Sequence, residues 1–449
     1  MKKQIFRKGV AIFTCFCVSL AVGLGASCGA DSSSERTSTS SSAAIKTYNV
    51  TFSYNDGSGR KQTISIPEGE TIDAYAPVVV EGNKEVIAWS LQNGGANYGA
   101  TVTQDITLVA VWETHEIVEI EEDFPETLQD GFLQLNVTDV SELAGKTMRI
   151  GANVRSVSFV GDGTTIENFS LLVNERSGDL FVHLENFSYS SLASCGFDAR
   201  NENENLGYTL NLNLVGANVI DCSLATIATD PRGADGLHAH ELNVTGTGSL
   251  TVVAGNGVNG SNGTPDYGNE GTAGGTAPDN AQQGGIGIVA DEIRVGACTL
   301  NMFGGNGGNG GKGGNGRNVG GAGIFSQAGK YMPGGDGAPG KNGGAAIQTN
   351  SFTALNTNLT LKGGNGGNGG HGGNGGGTSS TYAGKGGNGA NGGNGGSIFA
   401  SPINAKLTKT ENDFTVGIGG SGGNGGASAA SSKIGGSGSN GSDGVTNIN

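Results

Sequence analysis

The sequence is poor in what an ordinary globular enzyme uses. Aromatic residues make up 6% and charged residues 14% of its 449 positions, a poor match to a large aromatic core around a charged catalytic cleft. Nine prolines are too few for a collagen-type triple helix. Lys and Arg number 25 against 40 acids, a net charge of -15, which disfavours nucleic acid as a general partner because phosphate binding needs clustered cations. Cysteine is sparse as well: beyond residue 27 only Cys28, Cys195, Cys222 and Cys298 remain. None lies in a C-x-x-C pair, so neither a disulfide framework nor a thiolate metal site is expected, and small apolar core roles are.

What the chain has is glycine, 86 residues of it. Residues 301–449 hold 50 of these, together with nine Lys or Arg against four acids, so the C-terminal third reverses the sign of the whole. At this length, two to four structural units are expected.

The amino terminus reads as an address. Lys2, Lys3, Arg7 and Lys8 precede an apolar run from Val10 to Leu24, and Gly25, Ala26 and Ser27 lead into Cys28. This order resembles a bacterial lipobox, which implies a signal peptide over 1–27 and a lipid anchor on Cys28. Residues 28–45, nearly all Ser, Thr and small side chains, bury too little apolar surface to fold and read as a tether.

Residues 46–113 alternate apolar and polar side chains, with Asn55, Asp56, Gly57 and Gly59 marking a hairpin turn. Trp89 and Trp112, the two tryptophans of the chain, are expected in the core of this small unit. Val50, Phe52, Gly57, Pro67, Gly69, Thr71, Ala88, Trp89, Val102, Thr103, Asp105, Thr107, Leu108, Ala110 and Trp112 carry a resemblance to the internalin-type B repeat, also called the Listeria-Bacteroides repeat. The resemblance implies a β-grasp-like spacer on a bacterial surface and no catalysis. Residues 114–145 are rich in acids around Glu121, Glu122 and Asp123 and read as a solvated linker without EF-hand spacing.

From Met148 the chain repeats. Leu237, Ile288 and Ile347 align, as do Leu242, Ile293 and Phe352; Val244, Val295 and Ala354; Leu250, Leu300 and Leu359; and Val252, Met302 and Leu361. In a further line, Ile398 and Phe414 take the first and a later apolar position. Apolar residues two apart in lines of 18 to 22 residues predict coils of an all-β solenoid, a right-handed parallel β-helix. Residues 146–254 hold its first rungs and 255–449 hold rungs separated by glycine tracts.

These tracts place Gly at two of every three positions, as in Gly304 to Gly316 and Gly363 to Gly377, and come in pairs joined by a polar tip. A threefold extended helix then has two bare faces, the polyglycine II-like geometry, and an arm of 13 residues would reach roughly 40 Å at about 3.1 Å per residue. Polar glycine tracts are commonly disordered, but the strict triplet register favours hairpins packed side by side. The tracts resemble, in composition, glycine-rich repeats of mycobacterial surface proteins and polyglycine bundles of phage adhesins and insect antifreeze proteins.

Candidate binding residues are Asn306, Asn309, Asn315, Asn365, Asn368 and Asn374 on the third face of the arms, and the tip aromatics Tyr267, Phe325, Tyr331 and Tyr382. Amides there can serve a ligand or, as the favoured alternative, bond neighbouring arms. Asp230, Arg232, Asp235, His238, His240 and Glu241 form the densest polar cluster; His238 and His240 are expected to share the outer face of one strand, with neither a third metal ligand nor a lyase signature visible. The sequence thus reads as a non-catalytic surface lipoprotein, adhesin-like or structural in the envelope, without cofactor or metal. Its partners would be a cell-surface glycan or protein and, through the anchor, a membrane. A glycan-cleaving β-helix enzyme near His238 and an ice- or mineral-binding surface are the alternatives.

Overall fold

The computed structural model describes residues 46–72, 75–77, 80–81, 84–91, 101–114, 127–128, 133–136, 142–152, 154–176, 178–200, 207–225, 232–265, 273–316, 332–376, 384–428 and 433–448. All lie in one compact unit, Ile45–Asn449. Among them there is no α-helix; the fold is all-β.

The first five strands, β1 (Thr47–Ser53), β2 (Lys61–Pro67), β3 (Val80–Glu81), β4 (Lys84–Leu91) and β5 (Ile106–Thr114), form one mixed sheet in the order β2-β1-β5-β4-β3. The β1–β2 hairpin turns where Asn55, Gly57 and Gly59 take φ of 49°, 84° and 75°, and Asp56 Oδ1 accepts the Ser58 N–H at 2.8 Å. Alternation in β1 and β2 sends Val50, Phe52, Ile64 and Ile66 to the buried face. Trp89 is buried among them, edge-on to Phe52 at 4.9 Å, and its Nε1–H donates to Pro77 O. Trp112 is only partly buried and donates to Tyr54 O at 2.6 Å.

The remaining strands form three parallel sheets, each gaining one strand per coil except that the first coil adds none to the third sheet and the last adds none to the first. The coils run β6 (Thr127–Leu128) and β7 (Leu133–Asn136); then β8 (Thr147–Ile150), β9 (Ser156–Val160) and β10 (Thr165–Ile166); then β11 (Ser170–Val173), β12 (Leu180–Glu185) and β13 (Ser188–Ser190). Next come β14 (Cys195–Ala199), β15 (Thr209–Val215) and β16 (Ala217–Asp221), followed by β17 (Asp235–Ala239), β18 (Glu241–Gly246) and β19 (Ser249–Val253). The last coils are β20 (Ile288–Val289), β21 (Glu292–Gly296) and β22 (Thr299–Phe303); β23 (Ile347–Gln348), β24 (Ser351–Leu355) and β25 (Asn358–Lys362); and β26 (Lys406–Thr408) with β27 (Glu411–Thr415). The sheets are ordered β23-β20-β17-β14-β11-β8-β6, β26-β24-β21-β18-β15-β12-β9-β7 and β10-β13-β16-β19-β22-β25-β27.

The register follows the apolar alignment. Leu237, Ile288 and Ile347 stack, as do Leu242, Ile293 and Phe352, and Val252, Met302, Leu361 and Phe414. Two details differ from the sequence reading. Phe399, not Ile398, bridges Ile347 in the last coil. The coils also begin earlier, because β6 and β7 lie inside the stretch read as a linker and pair in parallel with β8 and β9.

One corner of the coil is closed tightly between the second and third sheets, where Asn186, Gly216, Ala297, Asn356 and Lys409 take φ between 49° and 64°. Such a corner has no room for insertions, whereas the corner from the third sheet back to the first carries every glycine tract.

The N-terminal sheet packs on this solenoid-like stack. Leu355 at the end of β24 joins the core of the first sheet, Ala297 packs against it, and Lys406 Nζ lies 3.1 Å from Glu70 Oε1.

Candidate functional site

The glycine tracts form four outgoing legs (254–265, 304–316, 363–376 and 416–428) and four returning legs (273–286, 332–345, 384–396 and 433–445). A chain of backbone bonds crosses all eight, alternating direction: Gly285 N–H to Gly255 O, Gly305 to Gly285, Gly344 to Gly305, Gly364 to Gly344, Gly396 to Gly364, Gly417 to Gly396 and Gly444 to Gly417, each 2.7 to 2.9 Å. Bonds also join legs of the same direction, as from Gly307 N to Asn365 O and Gly343 N to Asn394 O. The legs are therefore two hydrogen-bonded layers, outgoing and returning, bonded to each other.

This geometry explains the triplet. A Cβ on Gly307 would meet Lys341 O of the other layer at 2.0 Å, and one on Gly308 would meet Val258 O of the neighbouring leg at 2.0 Å. Each glycine of the pair is thus bare toward a different neighbour. In one repeat, Gly366 N donates to Ile418 O and Gly367 N to Lys341 O. The third N–H points along the outer face, where no backbone carbonyl receives it, and the side chain of the preceding leg does: Asn306 Oδ1 accepts Asn365 N at 2.8 Å, Asn309 accepts Asn368 at 2.8 Å, and Asn315 accepts Asn374 at 2.9 Å. Asn365, Asn368 and Asn374 accept in turn from Ile418, Ser421 and Ala427. Asparagine suits the third position because a short side chain there must carry a carbonyl. His371 takes the same role through Nδ1, which accepts Asn424 N at 2.8 Å and so places its ring proton on Nε2.

The six candidate asparagines thus come together in one exposed array with each Oδ1 engaged, which leaves the amide nitrogens as outward donors. Tyr267, Phe325, Tyr331, Tyr382 and Cys28 lie outside the described residues.

The outer arms close their own edges. Asp443 Oδ1 and Asn440 Oδ1 of the last returning leg accept Gly419 N and Gly422 N, each at 2.9 Å, whereas the equivalent donors in earlier legs reach the next leg. At the other end, Asn280 Oδ1 and Gln282 Oε1 accept Ser261 N and Val258 N.

The polar cluster at 230–241 is arranged differently from the sequence reading. His238 and His240 do not share a solvated face: β17 ends at Ala239, and His240 lies in the bend after it, its Nδ1 2.8 Å from Asp291 Oδ2. His238 is buried and its Nε2 lies 2.7 Å from Asp235 Oδ2. Asp235, also buried, is held by Arg232 Nη2 and accepts Ile286 N through Oδ1 at 2.7 Å. Asp230 lies outside the described residues, and Glu241 accepts Thr209 Oγ1–H at 3.2 Å.

The parallel register brings in residues that the sequence reading missed. Asp198 stands beside His238 and Cys195 beside Asp235, so ligand atoms of Cys195, Asp198 and His238 lie within 4.8 Å of one another. Stacking CGFDA over DGLHA on their shared glycine would have found them. Burial would raise the Asp198 carboxyl, but hydrogen bonds and charge from Arg200 hold it below the usual range. Burial, with Asp198 adding to it, pushes the Cys195 thiol well up. Cys195, Cys222 and Cys298 are free and buried, and burial raises the last two to about 12.

Comparison with protein families, curated proteins and solved structures finds no match for this chain.

Proposed function

We propose that the protein is a non-catalytic, lipid-anchored surface protein of a bacterial envelope, in which a right-handed β-helix with polyglycine II-like arms presents binding tips. The N-terminal sheet is the B-repeat-like module of this reading, and Cys28 its anchor. The observation that carries the proposal is the Asn ladder: legs bonded to neighbours within their layer and across to the other layer form a stiff slab, and a stiff slab can hold four tips in a fixed pattern. Its outer face offers amide donors in rows, with Lys312 among them, which suits an acceptor-rich partner such as a surface glycan or the polar surface of a protein.

Ice or mineral binding is a second reading, favoured by the regular spacing of the Asn rows. Glycan cleavage near His238 draws less support, since His238 and Asp235 are buried and bonded to each other. A glycan array with residues 45–449 and with a deletion of 378–385 tests the proposal. Retention that depends on the tip supports it. No retention, retention unchanged by the deletion, or released sugar would overturn it, and ice shaping without retention would favour the second reading.

A further inference from the structure

We propose that Cys195, Asp198 and His238 bind a divalent transition metal of the zinc class, with Asp235 as the residue that orients the imidazole. The site goes beyond display and does not depend on it.

His238 carries the argument. Its Nε2 lies 2.7 Å from Asp235 Oδ2, and because a carboxylate only accepts, the ring proton sits on Nε2. In the neutral ring, the form that binds metals, the lone pair is then on Nδ1, which is buried and has no hydrogen-bond partner. A buried acceptor without a partner is costly, and a metal ion bound there removes that cost directly. Asp235 is itself fixed by Ile286 N and Arg232, so the ring is held as in carboxylate–histidine–metal arrangements, where the outer carboxylate sets tautomer and direction.

The other two ligands come from the coil beneath. Asp198 Oδ1 accepts Arg200 Nε at 2.8 Å and Arg200 N at 3.2 Å, and Oδ2 accepts Arg200 Nη2 at 2.5 Å, which fixes the carboxylate yet leaves a lone pair on Oδ2. Cys195 Sγ donates to Phe197 O at 3.2 Å. On binding, the S–H bond breaks, the sulfur pair forms the bond to the ion, and the proton leaves to solvent. A coordinated dication supplies the positive charge that holds a thiolate at a buried position. Arg200 and Arg232 balance Asp198 and Asp235, so a dication with one thiolate adds a single net positive charge. One sulfur, one imidazole nitrogen and one carboxylate oxygen suit zinc, with a fourth position for water.

The test uses the full chain, stripped with a chelator and titrated with cobalt(II) and zinc(II). Expected are one ion per chain, a near-ultraviolet thiolate-to-cobalt charge-transfer band, and its loss on adding zinc. Cys195→Ser abolishes the band with the far-ultraviolet dichroism unchanged, Cys222→Ala and Cys298→Ala keep it, and Asp235→Asn weakens zinc affinity about 10–100-fold. Zinc-edge absorption of the unaltered protein reads one sulfur at about 2.3 Å with nitrogen or oxygen at about 2.0 Å, a readout that needs no variant to fold. No retained ion, an ion without a sulfur ligand, or a band that survives Cys195→Ser or vanishes in Cys222→Ala or Cys298→Ala would overturn the site.

Discussion

Asn306 Oδ1 accepts the backbone N–H of Asn365 at 2.8 Å, across 59 residues of chain. This contact and its repeats turn a glycine-rich composition into a slab, because each satisfies the one donor per triplet that no backbone carbonyl can reach.

Asn365→Ala should therefore expose Ile418 N–H to exchange and cost about 0.5–1.5 kcal/mol, while Asn365→Asp, which keeps an acceptor, should protect it. Amide hydrogen exchange at Ile418 checks this; equal loss of protection in both variants would contradict the ladder.

The two glycines of a triplet should be separately intolerant of a methyl group. Gly366→Ala places a Cβ 2.1 Å from Gly393 O in the other layer, and Gly367→Ala places one 2.1 Å from Gly308 O in the same layer. Each should destabilise by about 1–3 kcal/mol as overpacking does. Gly436→Ala, whose Cβ meets nothing closer than Asn388 Oδ1 at 3.6 Å, serves as the tolerant comparison. Thermal unfolding ranks the three.

The edge caps make a prediction about assembly. Asn440→Ala with Asp443→Ala leaves Gly419 and Gly422 N–H facing outward, and open edges of this kind recruit other chains. Light scattering after gel filtration should show concentration-dependent association that the unaltered chain lacks; an unchanged mass would mean that the caps have no such role.

At the contact between the first sheet and the coils, Leu355→Ala should cost about 2–5 kcal/mol, since this side chain is 1% exposed in the first sheet's core. Lys406→Ala should cost under about 1 kcal/mol, because that ion pair is largely solvated. Limited proteolysis should release the N-terminal sheet in the first variant and not in the second.

Legibility from sequence followed the range of the interaction. Leu242 over Ile293 over Phe352 could be read because period-2 apolar spacing is local and repeats. The hairpin at Asn55–Gly59 was readable for the same reason, since backbone sterics act within a few residues. Strands β6 and β7 were not, because two- and four-residue strands in an acidic stretch carry too few apolar positions to show a period.

By itself, then, the sequence determined the strand period, the triplet and the corner at which glycine enters, all set by side-chain size and backbone freedom over a few residues. Only the tertiary structure decided that the first sheet rests on Leu355, that Asn365 is answered by Asn306, and that His238 lies beside Asp198. Those contacts join positions 40 or more residues apart, and their partners exist only once parallel stacking has fixed which coil lies over which.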